Sequence, residues 1–344
     1  MNLAWGRSLL GVVCGLVLLL AFSAGAEEAS LLRITVSVPG PRNISYLPVD
    51  LIPLIGADKA EGARVQLLHQ GGGGQALKQL AQRNSDFAVA GVPAHLSMVA
   101  NGGEVVTLAA VDDAPLFVLM VRSALREKIT KVGDLKGRII GVNTSSLTSK
   151  TTSQQLAELI LRQNGVMPEE FRILSAGQSW EDQSTLIQTG GVDAIMGDEP
   201  FASRLLQKGE VFFLINLADR QQAKGIPGGR FLHAALATRP DVLRHSPELA
   251  ARMVAIMKRS LAWVASHSPE QIVDALGVTD PAERDSFLTV LRRYPDLFSK
   301  DGHFSRSQLN ETDTFFHASN PEDAKALAIN MNLLVDDRWV GSRD

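Results

Sequence analysis

The sequence predicts an α/β fold of two similar lobes followed by a helical tail. Three observations carry this. Short apolar runs alternate with amphipathic stretches along the chain, the pattern of a mainly parallel sheet covered on both faces. The order strand, helix, strand, helix, short buried strand occurs twice, once before residue 111 and again from residue 116. After about residue 230 the alternation gives way to long helical periodicities.

Residues 31–38 (LLRITVSV) alternate, are rich in β-branched side chains and run into Pro39-Gly40-Pro41, a strand meeting a loop. Pro48 suits the first turn of a helix towards Gly56, with Pro53 as a kink. Residues 64–68 read as a strand, Gly71 to Gly74 as a turn, and 75–83 as an amphipathic helix. A third strand, 86–90, ends at Gly91-Val92-Pro93, then come a helix at 94–100 and a strand at 105–111. The rhythm restarts with an apolar strand at 116–121, a turn at 132–137 and a strand at 138–142. The segment 143–150 is rich in Ser and Thr, and 151–163 is a helix stopped by Gly165. Residues 171–174, 180–188, 192–196 and 201–207 read as strand, helix, strand and helix, and 231–238 as a further strand. The helix at 247–266 places Met253, Ile256, Met257, Leu261 and Val264 on one face, and two or three more helices follow, around 269–276, 281–291 and 305–316. These are expected to pack back on the first lobe. No low-complexity linker separates the parts, so strands are expected to join the lobes.

The first residues set the compartment. Arg7 precedes an apolar run over 9–22, and Ala24-Gly25-Ala26 supplies small residues before Glu27, the layout of a secretory leader cut after Ala26. A retained anchor is the competing reading, but the run falls short of the roughly 18–20 apolar residues a span needs. Acylation of Cys14 is disfavoured by Val13, where a small residue is usual. Cleavage leaves roughly 320 residues, enough for two domains of about 150. Cys14 is the single cysteine of the 344 residues, so the mature chain has no thiol, disulfide or cysteine metal site. A net charge of −3, with no basic run, argues against a nucleic-acid partner.

The ordered series LLRITVSVPG, GGGGQALKQLAQRNSDFAVAG, KVGDLKGRIIGVNTSS, GGVDAIMGDEP and HSPELAARMVAIMKRSLAWVASHSPEQ resembles the periplasmic substrate-binding proteins of ABC importers, type 2. It is most similar to the branch for nitrate, aliphatic sulfonates, taurine and thiamine-precursor pyrimidines. The resemblance implies Rossmann-like lobes joined by two crossing strands around a cleft that closes by hinge motion. Residues 116–121 and 231–238 are the candidate crossings, giving lobe one as 27–118 plus 233–344 and lobe two as 119–232. The chain is further expected to be periplasmic and monomeric, to hold a small molecule, to meet an ABC permease and to need no cofactor or metal.

Ligands of open parallel sheets bind beyond the carboxyl ends of the strands, which selects four loops. In the first, Arg42 suits an oxyanion, and Asn43 and Tyr46 offer hydrogen bonds or stacking. In the second, Gly72 and its neighbours free backbone amides for an anion; no Lys-Ser or Lys-Thr follows, so it is not a nucleotide P-loop. The third is Gly91, Val92 and Pro93, which the resemblance favours. The fourth holds Asn143, Thr144, Ser145 and Ser149 before a helix, an anion site or simple capping. Asp198 and Glu199 leave the strand at 192–196 and repel a bare anion, so either one faces solvent or the ligand bears a donor or cation. An amino-sulfonate or an amine-bearing heterocycle satisfies both demands. Asp112 and Asp113 are weaker candidates, and Trp180 and Trp263 read as packing residues.

No catalytic residue is assigned. There is no HExxH or GxSxG motif, and the seven histidines are scattered. An enzyme of thiamine-pyrimidine synthesis on this fold uses a cysteine-rich segment, which this chain lacks. A binding component that feeds a membrane sensor is the other alternative, since it needs the same closing cleft.

Overall fold

The β-branched run over residues 31–38 forms β1 (Leu32–Val38), the second strand of a five-stranded sheet. The computed structural model describes residues 31–341; the leader and its cleavage site lie outside them. β1 pairs in parallel with β2 (Ala63–His69) on one side and β3 (Phe87–Gly91) on the other. Helix α1 (Leu47–Leu54), with proline in its first turn, follows β1. Helices α2 (Gly73–Ala81) and α3 (Val92–Ala100) bracket β3, and β4 (Val106–Ala110) completes the first run.

The second sheet repeats the plan. β6 (Ile139–Val142) pairs in parallel with β7 (Arg172–Ser175) and β8 (Ala194–Asp198). Helices α4 (Thr152–Gln163) and α5 (Trp180–Thr189) lie between these strands, and α6 (Phe201–Gln207) follows them. Each sheet then takes one antiparallel strand from across the molecule. β10 (Ala234–Thr238) lies between β3 and β4, and β5 (Phe117–Arg122) between β8 and β9 (Val211–Asn216). The resulting orders, β2-β1-β3-β10-β4 and β7-β6-β8-β5-β9, are equivalent.

Three expectations need amendment. β9 (VFFLIN) had no assignment from sequence, although its residues suit a strand. The strand placed at 231–238 begins at Ala234, because the residues before it are committed elsewhere. Phe231 stacks on Phe315 with ring centroids 4.2 Å apart, and His233 faces the cleft. β5 and β10 each pair within a single sheet, so the chain passes between sheets in the segments before them. Those segments touch: Ala234 N donates to Asp112 Oδ1 at 2.7 Å, and Leu217 N to the Phe117 carbonyl at 2.9 Å.

The tail also reaches further than expected. α7 (Pro247–Ser266) buries the predicted Met253, Ile256, Met257 and Leu261 stripe in the core of the first sheet. α8 (Pro269–Ala275) and α9 (Pro281–Arg293) extend that core. α10 (Arg306–Ser319) serves both halves, with Phe316 in a core of the first sheet and Phe315 in the core of the second.

Candidate functional site

The carboxyl ends of β1, β3, β6 and β8 converge between the sheets, and the residues just beyond them enclose a cavity of about 20 Å³. That is scarcely more than the 10–15 Å³ one water requires, so the halves are closed upon each other.

Asp198, the last residue of β8, is the centre of the site and is 1% exposed. Asn43 Nδ2, from the loop after β1, donates to its Oδ2 at 2.6 Å, and Asn143 Nδ2, after β6, donates to its Oδ1 at 2.5 Å. Neither amide can turn freely. Asn43 Oδ1 accepts from Ser45 N at 3.0 Å, and Asn143 Oδ1 accepts from Gln183 Nε2 at 3.1 Å. Both NH₂ groups are therefore aimed at the carboxylate. Burial pushes Asp198 up to about 6, against the lowering effect of the Asn43 hydrogen bond.

A second buried acid works through a ring. Asp112 Oδ2 lies 3.1 Å from His233 Nδ1, and Asp112 Oδ1 takes the Ala234 amide. Burial raises the Asp112 pKa, and the neighbouring His233 opposes that rise. Asp112 thereby orients the His233 ring, which lines the cavity. Phe117 meets His233 edge-on at 4.8 Å, and Tyr46 is tilted to it at 5.8 Å. Burial, with the charges of Asp198 and Asp112, holds the Tyr46 phenol well above its usual pKa, so it remains a hydrogen-bond donor.

Three helix amino-termini border the same space. Gly73 opens α2, Gly91 precedes α3, and Thr151 to Ser153 begin α4. Their dipoles, and the first-turn amides not already taken, favour negative charge; the Val92 amide is held by the His233 carbonyl. Gln178 adds a buried Oε1 with no hydrogen-bond partner. The arrangement thus presents donors from the helix ends and acceptors from Asp198 and Gln178. It suits a small solute that bears both an oxyanion or carbonyl and an N–H group.

Glycines allow the close approach. A Cβ on Gly91 would lie 2.2 Å from Thr152 Oγ1, and one on Gly74 would lie 2.0 Å from Ser149 Oγ. These contacts join loops of the first half to the Ser/Thr-rich segment of the second.

Of the residues singled out from sequence, Asn43, Tyr46, Gly91, Asn143 and Asp198 line the cavity. Gly72, Thr144 and Ser145 sit at its lips: a Cβ on Gly72 would meet Thr144 Oγ1, and Ser145 N donates to the Gly71 carbonyl at 2.7 Å. Val92 and Pro93 serve the frame instead. Val92 N donates to the His233 carbonyl, and the Pro93 carbonyl accepts from Gln155. Arg42 turns outward, with φ of 60°, and its guanidinium pairs with Glu283 at 2.8 Å. Ser149 borders an adjoining groove. Glu199 is buried but accepts from Ser203 N and Oγ, capping α6, and burial pushes it up to about 7. Neither acid of the 198–199 pair therefore faces solvent. Asp113, in the segment between β4 and β5, accepts from Gln308 Nε2. Trp180 lies under Arg204 and Lys208, and Trp263 stacks on His267. Sequence reasoning missed His233, Phe117, Gln178 and Gln183. Asp112 was the one trace of the first, since its partner lies 121 residues away.

A family model described as NMT1/THI5 like matches residues 59–272. A solved protein of Bordetella bronchiseptica RB50 superposes with a TM-score of 0.80 at 20% identity, over 90% of this chain and 96% of that one. The alkanesulfonate-binding protein SsuA of Xanthomonas axonopodis pv. citri, bound to MOPS, gives 0.68 at 15% identity, over 90% and 98%. The periplasmic nitrate-binding protein NrtA of Synechocystis PCC 6803 gives 0.68 at 11% identity, over 90% and 87%. The two five-stranded sheets and their helices match the periplasmic binding protein fold of the latter two. No curated protein matches the chain by sequence.

Proposed function

The chain belongs to the NMT1/THI5-like family, and on that footing we propose that it is a secreted solute-binding protein that captures a small polar molecule between its lobes and delivers it to an ABC importer. In this reading lobe one comprises residues 27–118 and 233–344, and lobe two residues 119–232. The observation that carries it is the bridge at Asp198, where one buried carboxylate takes an amide from each side of the cleft. A ligand whose N–H group replaces either amide bonds to Asp198 of lobe two while its oxyanion or carbonyl meets the helix amino-termini of lobe one, and contacts available only in the closed form shift the population towards it.

The ligand class follows from the same geometry. A bare anion meets helix amides but also the Asp198 carboxylate, which repels it and to which it has no hydrogen to donate. An amino-sulfonate or an amine-bearing heterocycle supplies both halves. Thermal-shift screening of residues 27–344 against taurine, alkanesulfonates, nitrate and aminopyrimidines tests this. A micromolar ligand at millimolar concentration adds about 4 kcal/mol by linkage, a clear rise in melting temperature. Donor-bearing compounds are expected to shift it and nitrate is not; the reverse order overturns the ligand class.

A further inference from the structure

Beside the cavity lies a groove of about 540 Å³ that also runs between the halves. Helices α2 and α3 form one wall, residues 148–150 the other, and α10 contributes Phe316. The two spaces share Ala94 and continue into each other through adjacent residues, Gly73 to Gly74 on one side and Thr151 to Lys150 on the other. What divides them is the contact of Ser149 with Gly74, latched by Gln75 Nε2 donating to Thr148 Oγ1 at 2.7 Å. Ser149 Oγ is buried there without a hydrogen-bond partner. A hydroxyl in that state gains a partner when the segment moves, so the partition is weakly held.

The chemistry of the groove differs from that of the cavity. Leu77, Met98, Ala100 and Phe316 make it largely apolar. Lys78 stands exposed at its rim and forms no ion pair among the described residues. Lys150 is held by Glu158 at 2.6 Å. Asp323, the one carboxylate on the groove wall, has an oxygen engaged by the Lys325 and Ala326 amides.

We infer that the groove is the second half of the ligand site and receives the tail of an elongated solute. The donor-bearing head binds at Asp198, an aliphatic linker crosses the Ser149–Gly74 partition, and a terminal anion meets Lys78. This rests on the reading of Asp198 as the anchor of a donor-bearing ligand. The cavity alone is far smaller than any such solute, and the groove supplies the missing volume once the Ser149–Gly74 contact parts.

Calorimetric titration of the full chain tests it with alanine, which carries the zwitterionic head alone, and with 2-aminoadipate, 2-aminopimelate and 2-aminosuberate. The dissociation constant is expected to fall at least tenfold from alanine to the best of the longer compounds. Lys78→Gln, at an exposed position that folding does not need, should abolish that gain and leave alanine unchanged. Equal affinity along the series, or binding of alanine alone, overturns the groove while keeping the head site. Loss of affinity for alanine and the longer compounds alike in K78Q also overturns it. If none of these compounds binds, this inference fails, and the reading of Asp198 fails with it only where taurine and the aminopyrimidines also leave the melting temperature unmoved.

Discussion

Asp198 concentrates the consequences of burial in one side chain. It accepts two amides whose other ends are tied, so Asp198→Asn places an NH₂ group against one of two fixed NH₂ donors. Ligand affinity should drop by tenfold or more, and Asp198→Ala should cost about 1–3 kcal/mol for each amide left unsatisfied, read by urea unfolding. The pH dependence has two opposed signs. Burial raises Asp198 to about 6 and Glu199 to about 7, above their unfolded values. Their contribution to stability is full below the unfolded values and is lost as pH rises through the folded ones. Their contribution to the melting temperature should therefore fall between about pH 4 and 7, read as the difference from Asp198→Asn and Glu199→Gln, because buried His95 acts with the opposite sign in the same range. Affinity for a donor-bearing ligand should rise over the same interval, as Asp198 ionises. A contribution that rises in step with affinity would contradict the assignment. Asn43, Asn143 and Asp198 were legible in sequence because each follows a predicted strand, and the strand ends define the cleft. His233 was not, because what makes it a site residue is Asp112, brought to it by the second passage between sheets.

At the scale of elements, the glycine-rich turn and the Gly91 loop act as seats for the segment 143–152. A side chain at either seat holds the lobes apart. Gly91→Ala should increase the radius of gyration in small-angle scattering, because the new Cβ would sit 2.2 Å from Thr152 Oγ1. Adding Thr152→Gly should restore the compact value, and an unchanged radius in G91A would refute the seat. The sequence showed the glycines and the hydroxyls but not their pairing, since both also serve as ordinary turn and capping residues. Arg42 illustrates the converse. Its type suits an oxyanion, yet its backbone turns it outward to Glu283 on α9.

Over the whole molecule, the tail ties the lobes together. Phe315 stacks on Phe231, and the Arg162 guanidinium donates to the Ala318 carbonyl. On the other flank, Arg204 on α6 pairs with Asp280 at 3.0 Å and Gln207 with Asp285 at 3.2 Å. Phe315→Ala empties a fully buried position and should cost about 3–5 kcal/mol in urea unfolding. A loss below 1 kcal/mol would mean that α10 is not part of the second core. The Arg204–Asp280 pair, whose carboxylate is half exposed, should matter less, within about 1 kcal/mol of stability when Asp280 is removed.

The sequence by itself determined the two α/β lobes, the helical tail and the loops that meet in the cleft. Strand alternation, helical periodicity and turn residues are local, and the rule that sites form at strand ends converts them into positions. Only the tertiary structure decided which residues of those loops face the cavity, that Glu199 caps a helix, that His233 is oriented by Asp112, and that α10 serves both cores. Each of these depends on contacts between residues far apart in the chain. Side-chain type limits what such a contact can be, but the closing of the two sheets upon each other selects which one forms.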